Sequence, residues 1–285
     1  MSSSGRPLAI IAGGGSLPVH VAEAARLSGR KLLVVGIEGE ADPDIAAFSP
    51  EWINWGQIGK LERLLAEHGT QDIVLIGNIS ARPDFKHFRL DFGTVRILPE
   101  VVSILIGGDN TVLSGAIRLL EARGYSIVGA HEIAADLTAS GGPAAGVPPR
   151  GDDLLDLETA IRASRDIGAL DAGQAAVAIG GRVVALEAAE GTDAMLERVA
   201  GLRRDGRLRA NGRAGVLAKC AKPQQDLRVD MPTIGPKTVE GAAAAGLAGI
   251  GIEAGRVMIV DRAETLRRAE ATGLFIFAVD HTATA

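Results

Sequence analysis

Short aliphatic runs that break into glycine and alternate with helical patterns limit this chain to few architectures. Residues 8–12 (LAIIA) lead straight into Gly13-Gly14-Gly15-Ser16-Leu17-Pro18. That order reads as strand, glycine turn, helix: residues 19–27 carry alanine and valine at helical spacing and stop at Gly29. Residues 31–37 read as a second strand, 58–68 as a helix and 72–76 as a third strand. Strands and helices in alternation predict a doubly wound, parallel α/β sheet. Glycines at the first turn let a backbone approach a phosphate or sugar, and a helix start supplies free N–H groups, so Gly13, Gly14, Gly15, Ser16 and Leu17 are candidate substrate contacts. The dinucleotide spacing G-x-G-x-x-G fails, because Pro18 holds the third glycine's place, and a plain tight turn explains these glycines as well. The loop after 72–76 falls at the same carboxyl edge of the sheet, where open parallel sheets bind ligands. Its Asn78, Ser80 and Arg82 are candidate sugar or phosphate contacts, with an ordinary loop as the alternative.

Residues 98–106 and 110–123 predict two helices, the second capped by Asp109. A strand over 125–129 leads to His131 and Glu132; with no second histidine at ligand spacing, His131 is expected to be a hydrogen-bonded structural residue. The stretch 140–151 (SGGPAAGVPPRG) predicts a linker, giving an N-terminal domain over 1–139 and a C-terminal domain over 152–285. The latter opens with a helix over 152–167, then a hairpin of 175–179 and 183–186 about Gly180-Gly181-Arg182, carried on by 187–190. A helix follows from Ala194, with Thr192 or Asp193 as its cap; alternatively Glu190 and Asp193 help to hold a metal ion. Strands over 249–252 and 257–260 about Gly255, a helix from Arg262 and a strand over 274–279 complete a mixed α/β domain.

Composition narrows function. A net charge of −5 argues against general nucleic-acid binding, which needs a basic footprint. A single cysteine, Cys220, excludes a disulfide framework and a cysteine metal cage, which makes the reducing cytosol the expected compartment. No apolar run reaches membrane-spanning length, and residues 8–12 are too short for the core of a signal peptide. Yet residues 201–222 carry a local excess of six positive charges, which suits an anionic substrate or an acidic lipid surface.

The most functionally loaded stretch is 219–238. It follows the apolar run 215–218 and ends at a helix opened by Pro236. It offers Asp226 and Asp230, the cations Lys219, Lys222, Arg228 and Lys237, two glutamines and two threonines, stiffened by Pro223, Pro232 and Pro236. Carboxylates among cations on a stiff loop suit phosphoryl chemistry: Mg²⁺ takes one or two carboxylates plus phosphate oxygens, and cations neutralise the departing charge. Asp230 can bind Mg²⁺ or orient water, and Lys219, Lys222 and Arg228 can grip a diphosphate; Asp226 either joins them or pairs with a neighbouring cation. No G-x-x-x-x-G-K-[ST], H-E-x-x-H or G-x-S-x-G is present. The residues alone support a metal-assisted phosphate enzyme.

Five segments together resemble the UDP-2,3-diacylglucosamine pyrophosphatases of the LpxI family. They are Ile11 to Pro18; Gly77-Asn78 with Arg82-Pro83-Asp84-Phe85; Gly129-Ala130-His131-Glu132; Glu190-Gly191-Thr192-Asp193-Ala194-Met195; and Lys222-Pro223 through Arg228-Val229-Asp230 with Pro232-Thr233-Ile234-Gly235. The resemblance implies Mg²⁺-dependent hydrolysis of UDP-2,3-diacylglucosamine to UMP and 2,3-diacylglucosamine 1-phosphate, an intermediate of lipid A synthesis. It implies two α/β domains, the first Rossmann-like, with the substrate between them. Asp230 matches the family's catalytic aspartate; Asp226, Lys219, Lys222 and Arg228 accompany it as catalytic candidates. Asn78, Arg82, Glu190, Gly191, Thr192, Gln225, Thr233 and Gly235 join the glycine turn as substrate contacts, with Asp230 and Asp193 as metal ligands. Acyl chains need an aliphatic chamber, which suits a chain with only 3% aromatic residues. A lipid-linked UDP-sugar also implies a cytoplasmic protein in transient, peripheral contact with the cytoplasmic face of the inner membrane; a homodimer is left open. The alternatives are a non-catalytic nucleotide-sugar or lipid-binding protein and a nucleotide-dependent oxidoreductase using the Gly13 turn.

Overall fold

The computed structural model describes residues 5–79, 109–209 and 212–281. The expected helix over 98–106 and the Ser80 and Arg82 candidates lie outside the described residues. The chain divides between Ala134 and Ala135 into two compact units.

The first unit holds β1 (Leu8–Ala12), α1 (Leu17–Leu27), β2 (Leu32–Ile37), β3 (Glu51–Ile53), α2 (Ile58–His68), β4 (Asp72–Ile76), α3 (Asp109–Ala122), β5 (Ser126–Ile127) and the single turn α4 (Ala130–Ile133). Its five strands are parallel in the order β3-β2-β1-β4-β5, the order of a doubly wound sheet. All five residues of the central strand β1 are buried, which explains its unbroken aliphatic sequence. Helix α2 turns Leu61 and Leu65, one turn apart, into the core and stops at Gly69, whose φ of +71° suits a residue without a Cβ. Asp109 is the first residue of α3 rather than a cap outside it.

The second unit holds β6 (Gly142–Ala145), α5 (Asp152–Ala169), β7 (Ala175–Ile179), β8 (Arg182–Leu186), α6 (Gly191–Arg204), β9 (Val216–Lys219), β10 (Thr233–Ile234), α7 (Pro236–Ala244), β11 (Gly249–Glu253), β12 (Met258–Ile259), α8 (Arg262–Thr272) and β13 (Phe275–Val279). Six strands form one mixed sheet, β6-β13-β11-β9-β7-β8. In it β13, β11 and β9 are parallel, whereas β6 and β7 run antiparallel to their neighbours β13 and β9. One face packs Met195, Leu196 and Val199 of α6 and Val239 of α7 on Leu217, Ile250 and Ile252. The other packs Leu157 and Ile161 of α5 on Val216, Ala218 and Phe275. Alternate residues of β9 therefore serve opposite faces, the period of a strand covered on both sides.

One expectation needs correction. The stretch 140–151 is not a free linker: Gly142–Ala145 pairs antiparallel with β13, Phe277 opposite Pro143. A proline costs no ladder bond on the outer side of an edge strand, so its presence did not exclude a strand. Both strands expected about Gly255 are present, but in different sheets: β11 joins the large sheet while β12 pairs in parallel with β10.

At the carboxyl end of the first sheet the glycine turn and the loop after β4 interlock. Gly14 and Asn78 exchange both backbone hydrogen bonds at 2.8 Å, and a Cβ on Gly13 would stand 2.4 Å from the Asn78 carbonyl oxygen. Gly13→Ala is therefore expected to destabilise the protein by about 2–4 kcal/mol, since backbone rather than a flexible side chain must yield. Urea denaturation measures this, and an unchanged midpoint would contradict the interlock.

Candidate active site

Strand β9 ends at Lys219, and three further polar groups reach the same edge because of strand direction. The hairpin strand β7 is antiparallel to β9, so Gln174, just before it, lies beside Lys219, whose partner in register is Ala175. Strand β8 runs back in the direction of β9 and delivers Glu187 to that edge. Lys219, Thr192 and Glu187 are each less than 10% exposed. Lys219 Nζ donates to Thr192 Oγ1 at 3.0 Å, Thr192 Oγ1 donates to Glu187 Oε1 at 2.8 Å, and the Gln174 N–H donates to Glu187 Oε2 at 3.1 Å. Burial pulls the Lys219 pKa below the ordinary lysine value, while Glu187 and Asp193 act against that shift. Among the described residues no carboxylate forms an ion pair with Lys219, and Thr192 takes up one of its three donor hydrogens.

The segment after β9 folds into a tight turn stitched by its own backbone. The Val229 and Asp230 N–H groups donate to the Asp226 carbonyl at 3.1 and 2.9 Å. Asp230 is exposed, and its Oδ2 accepts from Gln225 Nε2 at 3.0 Å. Gln225 is held in turn: its Oε1 accepts the Lys222 N–H at 3.0 Å, and its Nε2 also reaches Gln174 Oε1 at 3.4 Å. Asp226 and Arg228 face each other as a two-pronged pair, with Nε to Oδ1 at 2.9 Å and a terminal nitrogen to Oδ2 at 2.7 Å. That guanidinium holds the Asp226 carboxyl below its usual range. Lys222 Nζ pairs with Asp171 at 2.8 Å.

The remaining candidates sit at helix starts. Helix α6 begins at Gly191 after Glu190, earlier than expected, so neither Thr192 nor Asp193 caps it. Thr192 instead spends its hydroxyl on Glu187 and Lys219. Asp193 pairs with exposed Lys237 at 2.9 Å, and Glu190 pairs with Arg198 at 2.9 Å. Thr233 opens β10, and the N–H of Gly235 donates to Thr238 Oγ1 at 3.2 Å at the start of α7. Among the described residues no three His, Cys, Asp or Glu side chains gather as a metal cage. Mg²⁺ held mainly by substrate phosphates and water needs no such cage, and exposed Asp230 fits that mode. Asp193 is already engaged with Lys237.

Under this edge lies a second buried carboxylate. Glu253, 1% exposed, ends β11 and accepts the Ala221 N–H at 3.1 Å and Arg165 Nε at 2.8 Å, with His281 Nδ1 at 3.1 Å. Burial pushes its carboxyl up, but His281, Arg165 and the Ala221 amide outweigh that and leave it below the usual range. Burial pushes the neighbouring Cys220 thiol up to about 12.

In the first unit, the glycine turn's amides are occupied by the chain itself. Gly13 N–H donates to the Ile76 carbonyl, Gly14 N–H to Asn78, and Gly15 N–H to the Asp42 carboxylate. Ser16 precedes Leu17, the first residue of α1, without a side-chain cap bond. His131, expected to be hydrogen-bonded, packs its ring against Gly129; among the described residues its buried Nδ1 has no hydrogen-bond partner, and burial lowers its pKa. In the basic run, Arg203 donates to the carbonyls of Gly246, Ala245 and Gly212, and Arg213 to that of Leu247, so part of that charge serves the fold.

Sequence reasoning missed Glu187, Gln174 and Glu253. A carboxylate placed directly after an aliphatic strand was the available signal for Glu187 and Glu253, and it becomes informative only once strand direction is known.

A buried lysine joined to a buried carboxylate through one hydroxyl, with an exposed and tethered aspartate on the loop that follows it, marks the edge of the second sheet in this α/β protein. Residues 7–137 match the LpxI N-terminal domain and residues 140–277 the LpxI C-terminal domain. The chain is 42% identical over 275 residues to the UDP-2,3-diacylglucosamine pyrophosphatase LpxI of Caulobacter vibrioides, an alignment covering 96% of this chain and 98% of that protein. The chain belongs to the LpxI family.

Two measurements check the buried floor. Cys220 is expected to ignore a thiol reagent at neutral pH in the folded protein and to react once the protein is unfolded; prompt labelling of the native state would contradict its burial. Because the folded-state carboxyl of Glu253 is depressed, its contribution to stability is complete above the ordinary glutamate range and disappears as pH falls through the folded value. From neutral pH to about pH 3 the wild type is therefore expected to lose more stability than Glu253→Gln; equal losses would contradict this.

Proposed function

We propose that the chain hydrolyses the diphosphate of UDP-2,3-diacylglucosamine, releasing UMP and 2,3-diacylglucosamine 1-phosphate for lipid A synthesis. The observation that carries this is the 42% identity, through both units, to a protein bearing that activity in its name. The second unit's geometry supports it. Lys219 presents a buried ammonium to an incoming phosphate, where low dielectric strengthens the attraction. Gln225 holds Asp230 Oδ2, so the carboxylate is oriented before substrate arrives and can aim a water at phosphorus. Water adds to the sugar-side phosphorus, the phosphorus–oxygen bond to UMP breaks, and the UMP oxygen leaves with its charge neutralised by the surrounding cations. Asp230, with phosphate oxygens and water, would hold Mg²⁺, which when bound supplies charge neutralisation at the diphosphate. Lys222 and Arg228 pair with Asp171 and Asp226, and a diphosphate recruits either cation by displacing that carboxylate.

The acyl chains of this substrate call for a peripheral approach to the membrane. Among the described residues no helix is long and apolar enough to cross one. With Arg203 and Arg213 turned to backbone carbonyls, the exposed Arg204, Arg207 and Arg209 remain as contacts for an acidic surface.

Incubation of the purified protein with UDP-2,3-diacylglucosamine and Mg²⁺ is expected to release UMP, and EDTA to stop it. Asp230→Ala is expected to keep the fold and lose about 100-fold or more in turnover. Equal rates for mutant and wild type would remove Asp230 from the mechanism. Ligand-dependent thermal stabilisation without UMP release from the wild type would leave a nucleotide-sugar binding protein instead.

A further inference from the structure

We propose that Glu187 is a positioning residue that holds Lys219 and Asp230 in one catalytic register, an inference that rests on the hydrolase reading above. The two groups come from different elements, one ending β9 and the other on the turn beyond it, and a single carboxylate joins the hydrogen-bonded paths to both. Through Oε1 it receives Thr192, whose hydroxyl accepts from Lys219. Through Oε2 it receives the Gln174 amide, and the Gln174 side chain meets Gln225, which holds Asp230.

Both oxygens of Glu187 accept, each from a donor on a different element. A glutamine would turn an NH₂ toward one of two donors. The hub is itself tied down through its backbone. Its N–H donates to the Ala175 carbonyl at 2.9 Å, and a Cβ on Gly173 would stand 2.2 Å from its carbonyl oxygen, so strand ends pass at backbone contact there. Gln174 is fixed as firmly, its carbonyl accepting from Ser164 Oγ at 2.6 Å and from the Cys220 N–H at 3.0 Å. A buried carboxylate is costly unless compensated. Here the compensation is the Lys219 ammonium one hydroxyl away, so the charge that aligns Lys219 also offsets its burial. The path lies within the second unit.

The test compares wild type, Glu187→Gln, Thr192→Val and the double variant by UMP release with Mg²⁺ and by thermal melting. Wild-type turnover comes first: its absence overturns the hydrolase reading itself, whatever the variants do. Given wild-type turnover, Glu187→Gln is expected to lose about 10- to 100-fold in kcat with KM little changed, a loss well beyond what any fall in melting temperature accounts for. The double variant is expected to lose less than the product of the two single losses, because both act on one path to Lys219. An unchanged kcat, a loss confined to KM, a loss that follows the melting temperature down, or losses that multiply in the double variant would each overturn the proposal.

Discussion

The second unit depends on side chains that lie against glycine backbone more closely than any Cβ there would allow. A Cβ on Gly251 would stand 2.2 Å from Leu157 Cδ1, and one on Gly249 2.3 Å from the Phe275 ring. Those contacts let α5 seat on one face of the mixed sheet while the aliphatic side chains of β11 fill the other. In a chain with so few aromatic residues, glycines at these positions let the aliphatic side chains close on the sheet. The same device governs the first sheet, where Gly13 and Gly77 pass at backbone contact.

Close packing also explains how charged groups came to be buried at the edge. The hairpin of β7 and β8 starts and ends at the same edge, so Gln174 and Glu187 arrive beside the end of β9 from residues far from it in sequence. Lys219 is thereby enclosed among a hydroxyl and carboxylates rather than left in solvent. Glu253, one strand over, fastens the Ala221 amide and so fixes where the segment beyond Lys219 begins its turn. Two buried carboxylates thus hold different groups at one edge: Glu187 the Thr192 hydroxyl and the Gln174 amide, and Glu253 the Arg165 side chain and the Ala221 amide.

The glycine turn of the first unit shows how a motif-like pattern can serve the fold. Its three amides find partners in Ile76, Asn78 and Asp42, so the glycines are needed where the chain meets itself. In dinucleotide-binding sheets the equivalent amides face a pyrophosphate. The missing third glycine, with Pro18 in its place, was the sequence sign that this turn differs.

Much of the fold was legible in sequence because period and punctuation suffice for it. The α2 and β4 bounds, the α/β class and the hairpin about Gly180 follow from apolar spacing and glycine stops. Strand β6 was not legible, since Pro143 disguises a strand that occupies an edge. Among the site residues, Lys219, Gln225 and Asp230 stood out because their local segment is dense in polar groups and proline. Glu187 and Gln174 did not, because nothing near them in sequence shows which way their strands run. Sequence by itself determined the kinds of element, the chemistry available on the loop after β9, and the family. Tertiary structure alone decided which carboxylate meets which cation. Hydrogen bonds between strand ends depend on direction and register, and those are set by long-range pairing that no local pattern encodes.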